Sequence, residues 1–136
     1  MNLIFIFLAW GIFSAIEGIS EGGYWQFKFE CENLISNFKG KEHSLWTLQR
    51  FIVVLFGSLY LGSFWYIFLF ALTFPFIHDG FYYWTRNYLS HGGVYRKGFW
   101  SFSKTSTAWF TKYSTPFLRT LYFIIGLIII IYLTIK

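Results

Sequence analysis

The stretch Phe51 to Ile77, FIVVLFGSLYLGSFWYIFLFALTFPFI, carries no charge, and how it divides decides the fold. As one helix it would be about 40 Å long, a strongly tilted crossing of a hydrocarbon core roughly 30 Å thick. Gly62-Ser63, near its middle, can instead turn the chain between residues 45–61 and 64–83, each nearly long enough to cross alone.

Charge on either side of the stretch separates the two readings, because cytoplasmic loops of membrane proteins carry the excess of Lys and Arg. A hairpin puts Lys28, Lys39, Lys41, Arg50, Arg86, Arg96, Lys97, Lys104, Lys112 and Arg119 on one side, with only Lys136 opposite. A single long helix splits them almost evenly. The asymmetry favours the hairpin, with three spans as the alternative.

Outward from this centre, Leu3 to Ser20 is an apolar run interrupted only by Glu17, and Gly22-Gly23 is expected to end it. At 1.5 Å per residue it reaches about 27 Å. Its resemblance to a signal-peptide core fails for want of a preceding basic residue and a small-residue cleavage site, so a retained helix is expected. A polar loop follows, and Ser44 is a candidate N-cap for the second helix.

Past the third helix, Phe99, Phe102, Trp109, Phe110 and Tyr113 recur at helical spacing among Ser, Thr and Lys. Residues 98–113 therefore read as an amphipathic helix lying at the membrane surface, with Lys104 and Lys112 toward the headgroups. Thr115-Pro116 offers an N-cap and a first-turn proline to an Ile-rich last helix, 117–135.

Composition agrees. Of 136 residues, 56% are hydrophobic and only 12% charged, about half the charged share of a soluble domain. The 26% of aromatic residues suits contact with lipid and interface, where Trp and Tyr concentrate. The expectation is an all-α integral membrane protein of a single domain. It has four transmembrane helices, the central pair a hairpin, and one interfacial segment, with basic loops cytoplasmic and both termini outside a plasma or inner membrane.

The net charge of +5 comes without a Lys/Arg block or any nucleic-acid signature, which leaves anionic lipid headgroups as its partner rather than nucleic acid. The lone Cys31 can form no internal disulfide.

The hairpin brings Glu17 and Glu21, Arg50, His78 and Asp79, Arg86 and Arg119 to similar depth. Glu17 and Glu21 share a helix face and repel each other, so something must compensate them. One reading is structural: Arg50 and Arg86 pair with Glu17 and Glu21 and seal the bundle, as intramembrane charges generally do. The other makes Glu17, Glu21, His78 and Asp79, with His43 or His91, ligands of a transition metal such as Fe, Mn or Zn. Their spacing matches no established metal motif. Gly18-x-x-x-Gly22 has the spacing of a helix contact.

The strings Ile77-His78-Asp79-Gly80-Phe81-Tyr82-Tyr83, Ser106-Thr107-Ala108 and Thr115-Pro116-Phe117-Leu118-Arg119 resemble stretches in small uncharacterised multi-pass membrane proteins of bacteriophage and bacterial genomes. The resemblance implies a membrane setting and brings no activity with it. The expected function is a non-enzymatic one, as a subunit or modulator of a membrane complex or as a phage-type membrane protein. A membrane-boundary metalloenzyme acting on a lipid and an oligomeric pore are the alternatives.

Overall fold

The structure, a computed structural model, describes residues 3–30, 41–90, 95–103 and 113–135. The described residues are all-α, in four α-helices: α1 (Leu3–Glu30), α2 (Lys41–Tyr60), α3 (Trp65–Leu89) and α4 (Pro116–Ile135). Those over Leu3–Lys28 and Pro116–Ile135 are long and apolar enough to cross a membrane.

The uncharged stretch is broken where glycine permits it. Gly62 has φ +73°, the left-handed conformation that costs glycine least. Around it Gly62 N–H donates to Leu59 O (3.0 Å) and Ser63 N–H to Ser58 O (3.2 Å), the paired bonds of a Schellman motif. Ser63 Oγ then accepts from Trp65 N–H at 3.3 Å as α3 begins. At the other end, Thr115 Oγ1 accepts from Leu118 N–H (3.3 Å) ahead of Pro116, the cap expected for α4.

The remaining boundaries differ from those read in the sequence. α1 does not end at Gly22-Gly23 but runs to Glu30. A Cβ on Gly18 would overlap the His78 carbonyl oxygen, and one on Gly22 would lie 2.7 Å from that of Tyr82. These glycines are a packing surface, and their sterics rather than their flexibility explain them. α2 starts at Lys41, before Ser44. α3 continues through Gly80 to Leu89, since Gly80 makes room for the Phe99 ring.

The surface helix expected over 98–113 is replaced, in its described part, by one 3-10 turn, Gly98–Trp100, and an extended Ser101. Phe99 turns inward against Phe76 (5.3 Å between ring centroids) and Phe81 (5.8 Å). Residues 104–112, with Lys104 and Lys112, lie outside the described residues.

α3 is the central helix. It packs most extensively on α1, then on α4, and less on α2. α1 and α3 run parallel, with Trp10 against Phe70 and Phe74 at one end and Gln26 against Arg86 at the other. α2 and α4 run antiparallel to them.

Small residues line the seams, and two buried hydroxyls there find partners. Ser14 and Thr73 are wholly buried; Ser14 donates to Trp10 O (2.8 Å), and Thr73 donates to Leu69 O (2.9 Å) while accepting from Trp10 Nε1 (3.2 Å). By contrast Ile12, Ile16, Phe56, Ile128 and Ile131 lie on the outside.

Gly126 of α4 faces Thr73, and a Cβ there would overlap Thr73 Cγ2. Gly126→Ala should therefore destabilise the fold by about 1–3 kcal/mol, as overpacking a filled interface does. Adding Thr73→Ser, which removes that methyl and keeps the hydroxyl, should restore most of the loss. Equilibrium unfolding in mixed detergent, with the two single variants and the double, measures the coupling.

Candidate functional site

Just past the middle of α1, the face toward α2 and α3 turns acidic. Glu17 and Glu21, one turn apart, meet Arg50 from α2: Arg50 Nε donates to Glu17 Oε1 at 3.1 Å and Nη2 to Glu21 Oε2. The carboxylate oxygen of Glu21 also faces His78 Nε2 at 2.9 Å. On the opposite side of the imidazole, Nδ1 lies 2.9 Å from Asp79 Oδ1. The other oxygen of Asp79 accepts from Ser114 Oγ, just before α4.

The result is a chain of contacts, Glu17–Arg50–Glu21–His78–Asp79–Ser114, that joins α1, α2 and α3 to the approach to α4. Phe74, one turn before His78, stacks on the imidazole (4.5 Å) and sits 5.0 Å from the Arg50 guanidinium. This apolar platform holds the guanidinium and the imidazole in place and strengthens their attraction to the carboxylates by excluding water.

His78 Nε2 also lies 3.0 Å from Arg50 Nη2, so a ring protonated at Nδ1 alone donates to Asp79 and accepts from Arg50, while the doubly protonated ring donates to both Asp79 and Glu21. In that form three carboxylates face two cations, and the negative charges that repel along α1 are offset from α2 and α3.

The structural pairing read in the sequence is therefore present for Glu17, Glu21 and Arg50, with His78 closing it. Arg86 lies two helical turns beyond His78, where Nη1 donates to Tyr82 OH (3.1 Å) and Tyr95 OH (3.2 Å) and Nε reaches Gln26 (3.5 Å). Its guanidinium also lies 4.8 Å from the Tyr95 ring.

Of the metal set, Glu21, His78 and Asp79 are in contact, but the carboxylates occupy opposite nitrogens of one ring. Arg50 stands between Glu17 and Glu21. Among the described residues no three His, Cys, Asp or Glu side chains are arranged to hold a metal ion. His91 and Cys31 lie outside the described residues.

Sequence reasoning grouped Arg119 with the boundary cations and missed how deeply it is placed. It is fully buried, donates to the Phe99 carbonyl and lies 5.5 Å from the Phe99 ring and 5.9 Å from that of Tyr83. Its Nε and Nη1 have no hydrogen-bond partner. Its position one turn after Thr115-Pro116 was the available signal, since that turn starts against the polar end of α3.

Beside the ion pairs, α1 and α2 diverge into a cleft of about 430 Å³ lined by residues that include Phe13, Ile16, Glu17, Tyr24, Trp46 and Arg50. Tyr24 and Trp46 meet edge to face across it, 5.4 Å between centroids.

In comparisons with known proteins the chain matches no family model, no curated protein and no solved structure.

Proposed function

We propose that this is an integral membrane protein of four spans that acts without catalysis, as a small subunit or modulator of a membrane complex or as a phage-type membrane protein. The observation that carries this reading is the internal closure of the charged layer. Arg50 and His78 are committed to Glu17, Glu21 and Asp79, so that among the described residues this layer holds no nucleophile paired with an activating base of the kind that chemistry needs. Isoleucine-rich outer faces on α1 and α4 support a surrounding of lipid.

The depth of the charged layer supports the same view. From Leu3 to Glu17, and from Trp65 to His78, the helices rise about 20 Å. The layer then sits near the inner margin of the hydrocarbon core, where paired charge is tolerated. Basic loops are cytoplasmic and both ends are outside, with anionic headgroups as partners of the loops.

Two measurements test the reading. Single cysteines replacing Ser63 and Thr134 should react with an impermeant thiol reagent from outside, and one replacing Lys97 should react only after permeabilisation. Labelling of Lys97→Cys from outside in intact cells would overturn the topology. Neutralising Glu17, Glu21 and Asp79 together should change assembly or expression level; a variant of unaltered assembly that has lost an enzymatic turnover would overturn the non-catalytic reading.

A further inference from the structure

We propose that the cleft between α1 and α2 binds one phospholipid with a primary-amine headgroup, of the phosphatidylethanolamine class. The inference rests on the four-span reading, which sets the direction of the membrane normal along the cleft.

Along that direction the lining changes character in the order of a lipid molecule. Phe13 and Ile16 form the end toward the membrane centre; Glu17, Ser20, Gln49, Arg50 and Glu21 form the middle; Tyr24 and Trp46 form the end toward the cytoplasmic interface. An acyl chain fits the first, a charged headgroup the second, and the aromatic pair stands where interfacial rings normally lie. A volume of about 430 Å³ is that of a small-molecule site.

The choice of headgroup follows from hydrogen bonding. Glu17 gives one carboxylate oxygen to Arg50, while Oε2 is enclosed by the protein and has no partner, a costly state that a turn of the side chain toward the cleft relieves by offering this oxygen to a donor. Glu17, Glu21 and Asp79 outnumber the cations of this layer whether His78 carries one proton or two, and the excess negative charge favours a cation. A primary ammonium can donate to Glu17 and lie against the Tyr24 and Trp46 rings. A trimethylammonium has no N–H to give, and a glycerol headgroup brings no charge. Arg50 spends Nε and Nη2 on the glutamates, which leaves Nη1, with Ser20 and Gln49, for the lipid phosphate.

The test titrates detergent-purified protein with phosphatidylethanolamine, phosphatidylcholine and phosphatidylglycerol of equal chain length, and counts bound lipid by native mass spectrometry. Phosphatidylethanolamine should bind at one per chain, about tenfold tighter than the other two, the effect of one charge-assisted hydrogen bond. Glu17→Gln should remove the preference, and Ile16→Trp, which fills the apolar end without touching the ion pairs, should weaken all three lipids. Equal affinities, tightest binding of phosphatidylglycerol, a preference that survives Glu17→Gln, or unchanged binding in Ile16→Trp would each overturn the proposal. Alkaline extraction of vesicles separates this from the topology. Protein that stays in the membrane yet shows no headgroup preference rejects the lipid site alone, whereas protein released into the supernatant rejects the spanning reading and the lipid site with it.

Discussion

Replacing Arg50 with Met should cost about 3–5 kcal/mol of stability, more than replacing Arg50, Glu17 and Glu21 together with Met, Gln and Gln. The single change leaves two carboxylates one turn apart on α1, with His78 still beside Glu21 and, among the described residues, no cation in contact with Glu17. Glu17 would then keep its charge with neither carboxylate oxygen partnered, since Oε2 already has no partner and Oε1 loses Arg50. The triple change removes the charges that needed compensating, and Met refills the space over Phe74. Unfolding by sodium dodecyl sulfate, followed by near-ultraviolet circular dichroism, gives the free energies for a cycle over the three positions. If the triple variant proves no more stable than Arg50→Met, the guanidinium stabilises through packing rather than by offsetting Glu17 and Glu21.

Gly18→Val should prevent α1 from seating on α3, with an expected loss of about 3 kcal/mol, the upper end of what overpacking usually costs. The obstacle is backbone: the new Cβ would overlap the His78 carbonyl oxygen, and a carbonyl inside α3 cannot rotate away without breaking its helical hydrogen bond. Because the obstructed residue is His78, the damage should reach the ion pairs and lower lipid selectivity as well as stability. Gly23→Ala is the control. Its methyl would meet only Leu89 Cδ1 at 4.0 Å, so it should stabilise α1 by up to about 1 kcal/mol through helix propensity. Equal effects of the two substitutions in the same unfolding assay would show that glycine flexibility, not close approach, governs the α1–α3 seam.

Much of the architecture was legible in the residues because it depends on local chemistry. The break at Gly62-Ser63 follows from a left-handed position that glycine fills, and the start of α4 follows from the Thr115-Pro116 cap. Glu17 and Glu21 announced a partner because equal charges one turn apart repel, and Arg50 was the nearest cation across a hairpin.

What only the tertiary structure decided concerns groups whose local signal points two ways. Gly22-Gly23 and Gly80 are helix breakers by propensity, yet α1 and α3 run through them, because the energy gained by close helix packing exceeds the propensity cost of about 1 kcal/mol per glycine. The aromatic periodicity of 98–113 read as a surface helix, but Phe99 is drawn inward by the space over Gly80. His78 rather than Arg86 completes the ion pairs, since α1 and α3 run parallel and their register sets Gly18 and Glu21 beside His78 while carrying Arg86 to Gln26, two turns beyond. A chain states which side chains need partners; the register of packed helices, set by where glycines let backbones touch, determines which partners they meet.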